Sequence, residues 1–162
     1  MTPKPPSASY TEMVQVVLPN DANPLGYILG GTVMHLIDIA AAIAAHRHSR
    51  TQMVTAAVDG LQFLHPIRVG DLIALQARVT AAFSTSVEVE VQVYSESLLT
   101  GQRRLTSHAY LTFATIEREG ARVRVPPLLA GTDEERQRAG EAERRRAERL
   151  ARRQQEIARF NG

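Results

Sequence analysis

The feature that most constrains the fold is an apolar segment, residues 31–48, that follows a glycine-rich loop. It is rich in alanine, leucine and isoleucine and contains no proline and no glycine after Gly31. This composition predicts an α-helix. The apolar side chains lie all round the helix instead of along one stripe, so we expect other parts of the protein to cover it on most sides. The segment is too short to span a membrane.

Asp38 stands near the middle of this apolar segment. A carboxylate among apolar side chains is costly unless it is paired, hydrated or used in catalysis. Taken alone, such an aspartate is about as often a structural group as a catalytic one. The neighbouring sequence is therefore needed to distinguish a structural from a catalytic role for Asp38.

The overall composition is that of an ordinary globular domain, with 162 residues of which 44% are hydrophobic and 22% charged. The chain has no cysteine, which excludes disulfide bonds and thiolate metal sites. The N-terminus lacks a basic segment followed by an apolar run, so we expect no signal peptide and a cytoplasmic protein.

The chain divides into three parts by composition. Residues 1–9 contain three prolines and two serines, which predicts a disordered N-terminal segment. Residues 10–130 have the pattern of one folded domain. Residues 131–162 are rich in arginine and glutamate, and Thr132 followed by three acidic residues predicts the start of a charged helix.

The run Arg144-Arg145-Arg146 in this last part could bind phosphate groups or could simply coat the surface of a helix. Glutamates three or four positions from arginines favour a solvent-exposed helix held by Glu–Arg pairs. A nucleic-acid-binding role for the basic segment is a weaker alternative, because no aromatic residues are interleaved with the arginines.

Five segments have the pattern of β-strands, one before the predicted helix and four after it. The clearest alternation places Val87, Val89, Val91 and Val93 on one face of a strand and polar residues on the other. The other strands are predicted near residues 12–18, 53–64, 73–80 and 103–116. Short turns join the last four strands, so the prediction is an α+β fold in which an antiparallel sheet wraps around one central helix. The polar outer face and the free edges of the sheet leave room for self-association.

Several short motifs follow one another in a specific order along residues 10–130. The first is Asn23-x-x-Gly26-x-x-x-Gly30-Gly31, followed by Asp38 in the helix. The others, in chain order, are Val54-Thr55-Ala56, Phe63-x-x-Pro66-Ile67-x-x-Gly70-Asp71, Thr85-Ser86-Val87-Glu88-Val89 and Phe113-Ala114-Thr115. In this order and spacing the chain resembles the hotdog-fold acyl-CoA thioesterases of the YciA and brain acyl-CoA hydrolase type.

The resemblance implies a hotdog fold and an enzyme that hydrolyses acyl-CoA to a free carboxylic acid and coenzyme A, with no metal or cofactor. It also implies homodimers whose sheets join edge to edge, often assembled as trimers of dimers into a hexamer. The active site of such enzymes lies at the dimer interface.

By the same resemblance, Asp38 is the general base or the nucleophile, and Asn23 contributes from across the dimer interface. The backbone at Gly30 and Gly31 matches the segment that polarises the thioester carbonyl. Glycines at the start of a helix leave free N–H groups that a ligand oxygen can approach, although the pair could equally serve only to begin the helix tightly.

Three further positions are assigned to substrate contact by the resemblance: Thr55 lines the site, and Thr85 and Ser86 contact the substrate. Where the family usually has a glycine before this second pair, the chain has Phe83.

Two chemical routes remain open for Asp38. It can take a proton from a water that attacks the thioester, or it can attack directly and form a mixed anhydride. For either role we expect Asp38 to be partly buried. His35, three positions earlier, could couple to Asp38, although the resemblance does not require a histidine there.

Other classes of function receive less support. The five histidines are scattered without ligand spacing, so a metal site is not expected. Ser84 and Ser86 lack the context of a nucleophile elbow, which disfavours a serine hydrolase. The main alternative to an enzyme is a non-catalytic acyl-CoA-binding or regulatory hotdog domain.

Overall fold

The computed structural model describes residues 1–161 and has a curved five-stranded antiparallel sheet with one helix packed in its concave face. The elements are β1 (Thr11–Val16), α1 (Gly30–Ser49), β2 (Met53–Phe63), β3 (Leu72–Ala82), β4 (Ser86–Glu96), β5 (Arg103–Thr115), β6 (Glu117–Arg118), β7 (Ala121–Arg122) and α2 (Asp133–Asn161). The strand order is β1-β3-β4-β5-β2. This architecture confirms the predicted fold. Among the strands, the sequence did not predict the small β6–β7 hairpin, whose two-residue strands are too short to show a period.

One face of α1 packs on the inner face of the sheet. The residues on this face are buried: Val33, Leu36, Ile37, Ala40, Ala41, Ala44 and Ala45. They meet the four valines of β4 that were predicted to share one face, all of which are 0% exposed. Fully burying a valine side chain contributes roughly 1.5–3 kcal/mol, so this layer is a main source of stability.

The opposite face of α1 is not covered by the rest of the chain. Met34, His35 and Asp38 are exposed, and Ile39 and Ala42 are only half-buried. The expectation that the helix is covered on most sides is therefore wrong for a single chain. The expected partial burial of Asp38 is likewise not provided by residues 1–161.

The strand β2 forms one edge of the sheet, where it pairs only with β5. Its register shifts between Thr55 and Ala57 and again between Asp59 and Gln62. Gly60 lies in the second shift with a φ of +64°, a backbone conformation that residues other than glycine adopt only at an energetic cost. The open side of this eleven-residue strand therefore carries backbone N–H and C=O groups, from alternate residues, that have no strand partner within residues 1–161.

The helix α2 begins with a capping box. The Thr132 hydroxyl accepts the N–H of Glu135 at 3.1 Å, and the Glu135 carboxylate accepts the N–H of Thr132 at 3.2 Å. This reciprocal pair satisfies two N–H groups at the start of the helix, and it confirms the predicted helix start at Thr132. No helix within residues 1–161 combines the length and the hydrophobicity needed to cross a bilayer.

From this start, α2 lies against the outer face of the sheet. Ala142 is 0% exposed, and Arg145 and Arg149 reach down to Glu88 and Asp59. The interpretation of residues 131–162 as a solvent-exposed helix is therefore wrong for one of its faces. Because α2 covers part of the outer face, that face is less available for self-association than the sequence suggested.

Residues 1–9, predicted to be disordered, pack against the domain in the structure. Pro6–Ala8 form a turn of 3₁₀ helix, and Lys4 exchanges backbone hydrogen bonds with Pro127 and Leu129. The Ser9 hydroxyl donates to the Pro6 carbonyl at 2.8 Å and accepts the N–H of Val79 at 2.9 Å. Composition could not reveal this arrangement. It depends on the N–H of Val79 in β3, which lies opposite the residues just before the start of β1.

We predict that Ser9→Ala lowers the free energy of unfolding by about 1–3 kcal/mol, because the buried N–H of Val79 loses its acceptor. The neighbouring Ser7 is exposed, so Ser7→Ala serves as the matched control and should leave stability unchanged. Urea unfolding followed by circular dichroism measures both. Equal stability of the two variants would show that the N-terminal segment is not held in this way.

Candidate functional site

Asp38 and Thr55, both predicted site residues, are brought together across the gap between α1 and β2. The Thr55 hydroxyl donates a hydrogen bond of 2.6 Å to Oδ1 of Asp38. Thr55 reaches Asp38 from the edge strand, at the position where the first register shift begins. One carboxylate oxygen is thereby oriented, and the other is left free to accept a hydrogen bond from a ligand or a water.

An apolar cavity of about 350 Å³ lies beside this carboxylate. Its walls come from α1, β2 and β5, and the apolar residues that line it are Met34, Ile37, Val58, Leu61 and Leu111. His35 also lines the cavity, on the same helix face as Asp38. A carboxylate at the edge of an apolar cavity can act on a polar group whose apolar remainder the cavity holds.

Asn23 is held by the loop that precedes α1. Its side-chain oxygen accepts the N–H groups of Leu25 and Tyr27 at 3.0 and 3.1 Å. These two bonds identify the oxygen and leave the side-chain NH₂ group as the part that can donate to a ligand. Pro24 restricts the backbone at the centre of this turn.

Asn23 and Asp38 line different cavities of the chain. The cavity beside Asn23 has a volume of about 290 Å³ and includes Tyr27, Gly30 and Phe63. It shares no lining residue with the cavity beside Asp38. Within the described residues of one chain, the two predicted catalytic residues therefore do not share a cavity.

Gly30 and Gly31 form the first turn of α1, which has no side-chain cap. Neither glycine has a positive φ. A Cβ atom on Gly31 would meet nothing within 4 Å, and one on Gly30 would only touch the Phe63 ring at 3.5 Å. The start of the helix thus does not itself require glycine, which favours the alternative that a ligand approaches this backbone closely.

Thr85 and Ser86 lie on the other side of the sheet, in a groove of about 840 Å³ between its outer face and α2. The structure therefore does not place them beside Asp38. Five arginines line the same groove: Arg122, Arg146, Arg149, Arg152 and Arg153. Because Val58 lines both this groove and the Asp38 cavity, the two meet at the edge strand β2.

The three consecutive arginines of α2 have three different environments. Arg144 is exposed, and Arg145 binds Glu88 in the sheet. The guanidinium of Arg146 lies 4.7 Å from the centre of the Phe83 ring and lines the groove. The interpretation as a surface coat thus holds for Arg144, the Arg145–Glu88 pair was predicted by neither interpretation, and phosphate binding stays a prediction.

The sequence reading did not single out Arg122, Arg152 or Arg153. These arginines come together only because α2 folds back over the sheet, and their spacing on the charged helix carries no separate signal. In the part of the chain that the structure describes, no three side chains of the metal-binding types come together.

Comparison with known proteins gives one consistent family. The sequence profile of the Thioesterase superfamily matches residues 25–101. The uncharacterized acyl-CoA thioester hydrolase YkhA of Bacillus subtilis is 40% identical over 119 residues, which are 74% of this chain and 69% of that protein. Acyl-CoA thioester hydrolase YciA of Escherichia coli is 32% identical over 65% of this chain and 82% of its own length. The human cytosolic acyl coenzyme A thioester hydrolase is 34% identical over 95% of this chain, which spans 42% of the human protein.

Solved structures agree with this family. An acyl-CoA thioesterase crystallised as an apo-hexamer superposes with a TM-score of 0.87 at 38% identity, over 94% of this chain and 97% of that one. An acyl-CoA hydrolase from Staphylococcus aureus superposes with a TM-score of 0.90 at 33% identity, over 99% of both chains.

The Staphylococcus aureus enzyme has been solved with alanine in place of an aspartate, an asparagine or a threonine, and the asparagine variant holds coenzyme A. In that protein the asparagine lies 15 positions before the aspartate, and the threonine lies 17 positions after it.

We predict that Gly31→Ala leaves the stability of the fold unchanged or raises it by less than about 1 kcal/mol, because its backbone suits any residue and its Cβ has free space. Gly60→Ala is the matched control and should lower stability by about 1 kcal/mol, since its φ is +64°. Thermal unfolding measures both. A Gly31 variant as unstable as the Gly60 variant would show that the glycine is needed to begin the helix.

Proposed function

The chain belongs to the Thioesterase superfamily and, within it, to the acyl-CoA thioester hydrolases, and on this premise we propose that it cleaves acyl-CoA into a free carboxylic acid and coenzyme A. The observation that carries the proposal is the Asp38 carboxylate, oriented by Thr55 at the edge of an apolar cavity. We place this activity in the cytosol, the compartment that the human relative is named for.

Asp38 acts on a water molecule or on the thioester itself. In the first route its free oxygen takes a proton from water, whose oxygen attacks the carbonyl carbon while the C–S bond breaks and the thiolate leaves. In the second route the carboxylate attacks the carbonyl carbon and the C–S bond breaks to release the thiolate, and water then hydrolyses the mixed anhydride to the free acid and regenerates Asp38. Both routes need only the carboxylate, water and backbone, and both place the acyl chain in the apolar cavity beside Asp38.

The carbonyl oxygen of the thioester binds at the start of α1. The N–H groups of Gly30 and Gly31 have no carbonyl acceptor within the helix, and the positive end of the helix dipole adds to their effect. A single donor of this kind lowers the barrier by roughly 3 kcal/mol when negative charge develops on the oxygen. The absence of side chains at these two positions leaves the space for that approach.

Asn23 acts from a second subunit. Within one chain Asn23 and Asp38 line separate cavities, and this separation supports a site that two copies complete. The open edge of β2 and the uncovered face of α1 supply the surface for such a dimer. A related acyl-CoA thioesterase is hexameric, which supports assembly of three dimers in this protein as well.

Coenzyme A occupies the groove between the sheet and α2. The arginines that line it carry the charge that a 3′-phosphate and a diphosphate need, and the hydroxyls of Thr85 and Ser86 add neutral donors. From the groove the pantetheine arm crosses β2 near Val58 to reach Asp38. A basic surface enclosed in a groove favours a small nucleotide over a nucleic acid.

Residue spacing gives independent support for the catalytic assignments. In this chain Asn23 lies 15 positions before Asp38, and Thr55 lies 17 positions after it. The residues substituted in the Staphylococcus aureus enzyme have the same identities and the same spacing. This agreement favours an enzyme over the alternative of a non-catalytic acyl-CoA-binding domain, for which an oriented carboxylate has no use.

We predict that Asp38→Asn lowers kcat by at least about a hundredfold, because the amide keeps the shape of the side chain but cannot accept a proton. The matched control is Asp133→Asn, which makes the same change on a fully exposed residue of α2 and should keep full activity. Release of free thiol from a panel of acyl-CoAs, from short to long, measures both variants and identifies the acyl preference. An Asp38→Asn variant as active as the wild type would refute the assignment, and a wild type that binds every acyl-CoA without turnover would refute the enzyme.

We further predict that two inactive variants restore each other. When Asp38→Asn and Asn23→Ala chains are unfolded together at equal amounts and refolded, random pairing should recover about a quarter of wild-type activity, because half of the dimers hold one intact site. Each variant refolded alone is the control and stays inactive. No recovery in the mixture, with dimers of both chains present, would show that the site lies within one subunit.

A further inference from the structure

A bidentate salt bridge between Arg145 and Glu88 attaches α2 to the sheet. Nε of Arg145 lies 2.9 Å from one carboxylate oxygen of Glu88, and Nη2 lies 2.8 Å from the other. The guanidinium also lies 3.5 Å from the centre of the Tyr110 ring. This two-point geometry restricts the rotation of the arginine in a way that a single hydrogen bond does not.

Glu88 is removed from water, and the Arg145 side chain is partly covered, with 21% of its surface exposed. Glu88 is 2% exposed, and its carboxylate also accepts the Thr80 hydroxyl at 2.7 Å. Burial alone would lower the pKa of the Arg145 guanidinium, but the hydrogen bonds and the charge of Glu88 leave that pKa raised above its ordinary value. An ion pair in such a site stabilises the fold little more than two apolar side chains of similar size would. Stability alone therefore does not explain why the outer face carries this pair.

The geometry of α2 links this pair to the groove. One turn further along the helix, Arg149 binds Asp59 of β2 at 2.8 Å, which gives a second point of attachment. Arg146 and Arg153 follow Arg145 by one and eight positions and line the groove. Because successive side chains on a helix are separated by a fixed angle, the rotation that Arg145 imposes also sets where these arginines point.

We propose that the Arg145–Glu88 pair positions α2 so that its groove arginines meet the nucleotide of coenzyme A, and that it thereby sets the preference for thioesters that carry this nucleotide. The inference rests on the proposed function. Arg145 and Glu88 are positioning residues here: their own polar atoms are engaged with each other, and the groove is lined by their neighbours. The acyl cavity and Asp38 lie on the opposite face of the sheet and do not depend on the pair.

The experiment compares two substrates that share the same acyl group and thioester. Butyryl-CoA carries the nucleotide and S-butyryl-pantetheine does not. The main variant is Glu88→Gln/Arg145→Met, which removes both charges together and so leaves no unpaired charge in the buried site. The matched control is Arg144→Met, which removes an exposed arginine one position away on the same helix.

The double variant should raise the KM for butyryl-CoA by about tenfold, since the phosphates lose part of their contacts. Its kcat for butyryl-CoA and its kcat/KM for S-butyryl-pantetheine should stay within about twofold of the wild type, because the chemistry is on the other face. Arg144→Met should match the wild type with both substrates. Arg145→Lys, which keeps the charge but not the two-point geometry, should fall between the wild type and the double variant in its KM for butyryl-CoA.

Three results would overturn the inference. An equal loss of activity with both substrates would show a structural role only, and an unchanged KM for butyryl-CoA would show that the pair does not position the groove. A KM in Arg144→Met that rises as much as in the double variant would show that overall charge, not position, matters. Failure of the proposed function looks different, since a wild-type enzyme that hydrolyses none of the acyl-CoAs in the panel would refute it before any variant is compared.

Discussion

Packing of α1 on the inner face of the sheet is the interaction on which the rest of the structure depends. The row of valines in β4, each 0% exposed, and the alanine-rich face of α1 form a closely packed apolar layer. Alanines let the helix axis approach the sheet closely, and the curved sheet follows the helix. One sheet can cover only one side of a helix, however, so the same packing leaves Met34, Asp38 and the edge of β2 open. The packing that forms the core therefore also explains why the helix face that carries Asp38 is uncovered.

The two faces of the sheet are covered by different kinds of interaction. The inner face excludes water by apolar contact alone, which is strong but does not define direction. The outer face carries Glu88 and is covered by α2 through charged pairs, which contribute less stability but define the rotation of the helix. This division suits the proposed function, because the acyl group needs an apolar cavity while the phosphates of coenzyme A need arginines in fixed places.

Much of the fold could be read from the sequence because local pattern and tertiary environment agree there. The alternation of Val87 to Val93, the apolar run after Gly31 and the capping box at Thr132 each report a local preference that the structure keeps. The expectations that failed concern segments whose environment comes from distant residues. Residues 1–9 look disordered until the Ser9 hydroxyl meets the N–H of Val79, 70 positions away, and α2 looks solvent-exposed until Arg145 meets Glu88, 57 positions away.

The same distinction applies to the candidate site. By itself the sequence determined the order of the elements along the chain, the loop that holds Asn23, and the presence of Asp38 in an apolar helix, because these follow from hydrophobic period, turn chemistry and residue order. Only the tertiary structure decided that Thr55 orients Asp38, that Asn23 lines a separate cavity, and that Thr85 and Ser86 lie on the opposite face with the arginines of α2. The physical reason is that side-chain period reports which face of an element is buried, whereas the groups that meet across the sheet depend on strand register and on how two remote elements pack.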